Sequence, residues 1–322
     1  MGQLSGPGSM SEPGALGEPG ALSGPGALGE PGALSGPGQL GGPVQFGGPG
    51  QLSGPGALGG PGQLGGPGQL GGPGHLGGAA GAFPRPGPWQ MAKVTEIRRE
   101  TATAKTFRLE LPTPVPYLAG QHFILRLTAP DGYVAQRSYS VGSAPAASGP
   151  SDAIELTVER LPDGEVSSFL HDVVAIGDEL QVRGPIGGWF VWRGDTPALL
   201  VGGGSGVVPL MAMLRLARRE GRAGLLRLVV SVRRPGDLWY ADELPGPQTT
   251  VVYTRATPPD WPRPAGRLAA ADLTAADLAG LGAGADGFIC GSARFADGAT
   301  SVLEEAGVAA GQIRVERFGP TG

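Results

Sequence analysis

A single cysteine, Cys290, is present in 322 residues. One thiol cannot close an intrachain disulfide, and it cannot hold an iron–sulfur cluster, which takes several cysteine ligands. Histidine is almost as scarce: His75, His122 and His171 lie far apart, with no metal-site spacing among them. No apolar run reaches the ~18 residues expected of a membrane-spanning helix. The opening residues, MGQLSGPGSM, lack the basic and apolar regions of a secretory signal. The formal net charge of −4 offers no broad basic surface for nucleic acid. These absences lead to the expectation of a cytoplasmic protein with no membrane or nucleic-acid partner, and the length suggests about two domains.

Glycine and proline, by contrast, are abundant, at 61 and 33 residues, and the excess sits mostly before residue 82. From Pro7 to Gly78 the chain repeats a hexapeptide close to P-G-(A/Q)-L-(S/G)-(G/E) in twelve copies. Glycine does not fall at every third place, so collagen is excluded. Lysine and arginine are absent from this stretch, and each copy carries at most one large apolar residue. So little apolar surface cannot offset a backbone ordering cost of ~1–2 kcal/mol per residue. Residues 1–82 are therefore expected to be a disordered repeat tail, with weak self-association through the regularly spaced leucines as the other reading. Residues 83–89, with the run AFPRPGP across Ala82–Pro88, form a Pro-rich hinge.

Beyond the hinge, residues 90–192 read as strands. Alternating or β-rich stretches run over Ala92–Leu111, Leu118–Leu127, Val134–Val141, Ile154–Arg160 and Glu179–Val182, with turn signals at Asp131-Gly132 and Asp163-Gly164. Short strands at this spacing suggest a small antiparallel barrel. It holds two motifs, R-S-Y-S-V-G-S (Arg137–Ser143) and P-D-G-E-V-S-S-F-L (Pro162–Leu170). The second reads as a turn opening a helix whose N-terminus could face a phosphate. Arg137 could pair with the same anion. Taken singly, each has a plainer explanation: ordinary sheet packing for Tyr139 between Ser138 and Ser140, and a helix cap for Gly164–Ser167.

Residues 193–322 alternate between strand and helix. Strands are expected at Ala198–Val201, Leu225–Val232, Thr249–Thr254, Gly287–Cys290 and Gln312–Glu316, and helices at Leu210–Arg219, Ala269–Leu281 and Ser301–Ala306. This order argues a parallel, doubly wound α/β sheet, whose ligands sit at the carboxyl ends of the strands. Gly202–Gly206, Arg233, Arg255 and Cys290 fall there. The glycines allow a pyrophosphate to approach the backbone ahead of a helix N-terminus. The arginines could equally be solvated surface charges, and Cys290 a small buried apolar side chain.

Five motifs occur in order: R-x-Y-S-x-x-S, G-x-x-S, a strand running into G-G-G-S-G-V-V-P, C-G-S, and E-R-F near the end. Together they resemble the ferredoxin–NADP reductase superfamily over about 230 residues, most closely its stand-alone FAD/NAD(P) oxidoreductases and the reductase modules of bacterial oxygenases. The resemblance implies an antiparallel β-barrel that binds FAD and a doubly wound domain that binds NADPH or NADH. It implies that Arg137 holds the FAD pyrophosphate with Ser138 beside it, that Tyr139 packs on the isoalloxazine, and that Ser140 bonds near flavin N5. Thr157 and Val158 would line the flavin through their backbone, and Gly164, Glu165, Val166 and Ser167 would cap the FAD phosphates. Gly203, Gly204, Ser205 and Gly206 would hold the nucleotide pyrophosphate. Cys290, with Gly291, would lie beside the nicotinamide, and Glu316 and Phe318 match the family's C-terminal acid and aromatic. The chain departs from the family in continuing past that aromatic with Gly319–Gly322.

The end of the second strand of this half carries Arg233-Arg234 and no acid, Arg255 follows the third strand, and Gly266-Arg267-Leu268 resembles an element of NADPH-using relatives. NADPH is therefore the expected donor. The expected acceptor is a separate protein, such as a ferredoxin, a cytochrome or an oxygenase component. The alternatives are a diaphorase-like reductase of small acceptors, a flavin-binding regulatory subunit without turnover, and a tail that serves assembly.

Overall fold

The computed structural model describes residues 86–318, apart from 245, 276–280 and 282–283. The repeat segment, residues 83–85 of the hinge, Gly319–Gly322 and residues 276–280 of the helix expected at Ala269–Leu281 lie outside the described residues.

Six antiparallel strands form the first half: β1 (Gln90–Arg99), β2 (Ala104–Val115), β3 (His122–Thr128), β4 (Val134–Ser140), β5 (Ser151–Glu159) and β6 (Glu179–Ile186). Their order is β4-β3-β6-β1-β2-β5. A bridge between Val141 and Leu156 joins the two edges and closes the barrel. Closure follows from alternation: Leu109 and Leu111 point inward while Arg108 and Glu110 point out. Phe107, Phe123, Ile154, Leu156 and Val182 fill the interior. Helix α1 (Glu165–Asp172) adds Val166 and Leu170, one turn apart, to the same core.

Five parallel strands form the second half: β7 (Ala198–Gly203), β8 (Leu226–Val232), β9 (Thr249–Tyr253), β10 (Asp286–Ser292) and β11 (Ile313–Phe318), in the order β11-β10-β7-β8-β9. Central β7 is buried on both faces: Leu200 joins one core with Leu210 and Met213, while Leu199 and Val201 join another with Leu303. Helices α2 (Val207–Arg219) and α4 (Ala293–Glu305) supply these opposite layers, and the short α3 (Ala270–Ala275) packs near α4. After β7 the chain builds outward through β8 and β9, then returns to place β10 and β11 on the other side. The sheet's switch point thus lies between β7 and β10, where a doubly wound sheet opens its ligand crevice. Ala104 and Ala119 of the barrel belong to the same core as α2, so the two halves share packed apolar surface.

Two elements differ from the sequence reading. The alternating stretch Ala92–Leu111 is a hairpin, broken where Glu100 N–H donates to the Ala104 carbonyl at 3.0 Å. Helix α4 starts at Ala293, eight residues before the expected Ser301, because the Ser292 hydroxyl caps it by accepting from Phe295 N–H. Its buried Ala296, Ala299 and Leu303 recur at helical spacing.

Candidate functional site

The end of β7 is built on contacts that only glycine permits. A Cβ on Gly206 would collide with the Cys290 carbonyl, and one on Gly203 would lie 2.6 Å from the Phe295 ring. Gly204 has φ +55°, in the left-handed region. The turn Gly204–Gly206, with Ser205 half-buried in it, leads directly into α2, whose first turn has no side-chain cap. Val207 N–H donates to the Gly204 and Ser205 carbonyls, and a helix start without a side-chain cap suits an anion.

Cys290 pairs with Gly202 on one side and Glu316 on the other. Burial raises the Cys290 thiol pKa, and the neighbouring Glu316 charge raises it further. Both effects favour the protonated thiol over the thiolate. Burial also pushes the Glu316 carboxyl up to about 7. Its Oε2 is buried without a hydrogen-bond partner among the described residues, and so is the Ser140 Oγ at the end of β4. Phe318 pairs with Ser292 and packs against the core that contains Cys290. Gly291 completes the tight approach, since a Cβ there would meet the Phe295 ring at 2.6 Å.

On the barrel, Arg137 and Ser138 are exposed, and Arg137 Nη1 donates to the Gln136 carbonyl at 2.7 Å. Tyr139 packs half-buried against the barrel core, and burial pushes its phenol up to about 12. Val158 is an inward core residue whose carbonyl contacts His171 Nε2 at 2.9 Å. Gly164 is the N-cap of α1. The Ser167 hydroxyl is used within this turn, donating to the Gly164 carbonyl at 3.1 Å and accepting from Leu161 N–H at 3.2 Å. Val166 is buried in the core, and Glu165 accepts from the Tyr133 hydroxyl at 3.1 Å. The Val166 and Ser167 side chains therefore shape the turn, in which Gly164 N–H donates to the Leu161 carbonyl at 3.1 Å.

Arg233 and Arg255 are neighbours at the ends of β8 and β9, where Arg255 N–H donates to the Arg233 carbonyl at 3.0 Å. Arg267 lies close to them, because Gly266 N–H donates to the Tyr253 carbonyl at 3.0 Å. All three side chains are exposed. The fold thus gathers Gly203–Gly206, Cys290, Gly291, Glu316 and Phe318 at one sheet edge. Ser140 approaches that edge through Gly142, where a Cβ would lie 3.5 Å from Val208 in the first turn of α2.

Sequence reasoning missed the residues that fasten the two halves together. Arg215 of α2 donates to the Gly142 carbonyl at 2.8 Å, to Glu155 at 2.9 Å, and to Glu243. Tyr240 reaches Thr157 at 2.5 Å. The only local signal was the run D-L-W-Y-A-D-E-L after β8, which alone points to no partner.

Comparison with known proteins agrees with this geometry. Residues 91–191 match the oxidoreductase FAD-binding domain family. The chain is 29% identical over 236 residues to the ferredoxin–NAD(P)+ reductase component of the naphthalene 1,2-dioxygenase/salicylate 5-hydroxylase systems of Ralstonia sp., covering 71% of this chain and 69% of that one. It is 28% identical to the reductase component of propane 2-monooxygenase from Rhodococcus jostii, covering 70% of this chain and 62% of the relative. A ferredoxin–NADP+ reductase from Neisseria gonorrhoeae, solved with FAD and NADP, shares the fold at TM-score 0.58 and 23% identity, over 71% of this chain and 98% of the other. The chain thus carries an FAD-binding oxidoreductase domain and is similar to ferredoxin–NAD(P)+ reductases and to the reductase components of oxygenase systems. It spans about two thirds of the length of these curated relatives.

The residues present fit such a pair of ligands. Ser140 Oγ and Glu316 Oε2 are buried polar atoms lacking partners, one from each half, and the glycine cradle would be filled by any Cβ at Gly203 or Gly206.

Proposed function

We propose that this protein is a FAD-dependent NAD(P)H oxidoreductase that delivers electrons to a separate acceptor protein. Residues 90–192 would hold FAD, and residues 193–322 the nicotinamide nucleotide. When bound, FAD supplies a two-electron centre that takes hydride from the nicotinamide and releases electrons onward. The observation that carries this reading is a pair of buried polar atoms, Ser140 Oγ in the barrel and Glu316 Oε2 in the parallel sheet, that have no partner among the described residues, together with a glycine turn at the sheet's switch point. Buried polar groups are normally satisfied, so such orphans mark where a ligand completes the hydrogen bonding.

Each residue's role follows from its chemistry. Arg137 and the backbone N–H groups of Glu165–Ser167, in the turn that Gly164 opens, hold phosphate oxygens. Tyr139 supplies an aromatic face, and Ser140 offers a hydroxyl to the polar edge of the ring. Gly203–Gly206 and the start of α2 hold the second pyrophosphate. Cys290, uncharged, gives van der Waals contact beside the nicotinamide. Glu316 closes the site from the opposite side and can hold or release a proton near neutral pH. Phe318 covers the aromatic platform. Arg233, Arg255 and Arg267 cluster where a 2′-phosphate would lie, which supports NADPH over NADH. The single cysteine leaves no set of cluster ligands in this sequence. That supports a separate ferredoxin, cytochrome or oxygenase component as the acceptor, with the protein acting in the cytoplasm.

An anaerobic absorbance titration of the purified protein with NADPH, with NADH in parallel, tests the reading. Bleaching of a flavin band near ~450 nm is expected, with NADPH the more effective. A flavin band that neither nucleotide bleaches would overturn the assignment of turnover, and a protein that binds no flavin would overturn the cofactor.

A further inference from the structure

We propose that Tyr240 is a positioning residue that sets the distance between the flavin-binding strands and the nucleotide-binding half. This rests on the reading above. Tyr240 belongs to the segment between β8 and β9, yet its side chain is 2% exposed and enters the barrel. Its hydroxyl meets Thr157 Oγ1 of β5 at 2.5 Å, Thr157 Oγ1 meets Thr106 Oγ1 of β2 at 2.7 Å, and Thr106 Oγ1 meets Glu100 Oε1 at 2.6 Å. The other carboxylate oxygen, Glu100 Oε2, accepts Tyr240's own backbone N–H at 3.1 Å.

The hydrogen positions in this ring follow from the carboxylate. The Thr106 hydroxyl donates to Glu100 Oε1. Thr106 has then spent its one proton and must accept from Thr157. Thr157 in turn must accept from the Tyr240 hydroxyl. The three hydroxyl bonds run one way, toward Glu100, which also accepts the backbone N–H of the residue where the chain begins. Such one-directional chains polarise and reinforce each other in a dry interior. Burial, the first cause, raises the Tyr240 phenol above its ordinary value, so it stays the donor the ring requires.

Three further contacts lock the residue. Tyr240 has φ +55°, a conformation that a non-glycine residue keeps only where its surroundings fix it. Arg215 lies over its ring at 5.1 Å, while bonding Glu155 and the Gly142 carbonyl of the barrel and Glu243 of Tyr240's own segment. A Cβ at Gly142 would come within 3.0 Å of the Tyr240 hydroxyl, so that glycine is what lets the hydroxyl sit there. Gly142 is two residues beyond Ser140, and Thr157 precedes Val158. One oxygen therefore bonds β5, one of the strands expected to carry the flavin, and sits against the chain just beyond the other, tying both to the half expected to carry the nicotinamide. A misplacement of ~1 Å between reacting rings can cost about 10²-fold in rate, even when its origin is remote.

The test is stopped-flow reduction of the flavin in the full chain by whichever nucleotide bleaches the wild type, with Tyr240→Phe, Thr106→Val and Thr106→Ser. Tyr240→Phe removes one oxygen and keeps the ring. Thr106→Val breaks the chain at its middle, and Thr106→Ser preserves it. At saturating nucleotide, the first two are expected to reduce their flavin about ten-fold or more slowly, with FAD content per chain and nucleotide affinity kept. Thr106→Ser is expected to match the wild type. In flavin-free protein, amides of residues 240–244 are expected to exchange at least ~10-fold faster in Thr106→Val than in Thr106→Ser. Should Tyr240→Phe yield no folded protein, the Thr106 pair decides. Equal reduction rates throughout, or losses that merely follow lost FAD, would overturn the role of Tyr240. A wild type whose bound flavin neither nucleotide reduces would instead overturn the functional reading on which it rests.

Discussion

Gly206 lies against the Cys290 carbonyl so closely that no side chain fits between β10 and the entry to α2. The obstacle is backbone, which cannot rotate away. Gly206→Ala is expected to destabilise the protein by about 1–3 kcal/mol, as overpacked sites do, and to weaken nucleotide binding by displacing α2. Gly204→Ala is a useful contrast. It has open space around it but a left-handed φ, so its cost should stay near ~1 kcal/mol. Urea unfolding midpoints and nucleotide titrations of the two variants check both statements.

Ser140 should show opposite effects on stability and on turnover. Its buried hydroxyl has no partner among the described residues, so Ser140→Ala in the flavin-free protein is expected to be neutral or up to about 1 kcal/mol more stable. In the flavin-loaded protein, reduction by NADPH should slow by about ten-fold, which corresponds to ~1.4 kcal/mol in the barrier. Thermal melts without flavin and stopped-flow traces with it separate the two effects. Loss of stability on substitution would mean that the hydroxyl already serves the fold.

Glu316 gives a pH dependence of definite sign. Burial raises its carboxyl from 4.5 to about 7. Between those values the folded flavin-free chain holds a proton that the unfolded chain has released. This component of stability is therefore full below 4.5 and is lost as pH rises through about 7. Glu316→Gln should remove this component, flattening the melting temperature of the flavin-free protein across the window. An unchanged pH profile in the variant would assign the dependence to another group.

The arginines should separate the two nucleotides. Arg233→Ala or Arg255→Ala is expected to raise the KM for NADPH by about ten-fold and to change that for NADH by less than about two-fold, because only NADPH carries the 2′-phosphate. Initial-rate kinetics with both donors measure this directly. Equal effects on the two would return these side chains to the role of solvated surface charge.

Local chemistry made part of the architecture readable. The glycine run after Ala198–Val201 announced the β7–α2 turn because a buried strand feeding a glycine cluster has few other uses. The R-S-Y-S-V-G-S strand, the C-G-S strand end and Glu316 were likewise marked by their order along the chain. The β1–β2 turn was hidden because Glu100–Thr103 contains no glycine or proline. Half of α4 was hidden by Asp297 and Gly298, which interrupt an otherwise helical pattern. The Tyr240 contacts could not be read locally, since Thr157 lies 83 residues away and Glu100 lies 140. Pairings of that separation come from the sheet topology, and nothing in the neighbouring letters encodes them.

The Arg215 guanidinium bears on how such reductases can be recombined. It is carried by one half of the molecule, yet it grips the strand that closes the other half, beside the Val141–Leu156 bridge. A cut near residue 193 would therefore part Glu155 and the Gly142 carbonyl from Arg215 and leave the barrel without an outside brace. In chimeras that graft a foreign nucleotide-binding half onto this barrel, Glu100, Thr106, Gly142 and Glu155 would have to travel with Arg215, Tyr240 and Glu243. The unit to transplant is the seam, and a swap that respects only the boundary between sheets would separate residues that bond to one another.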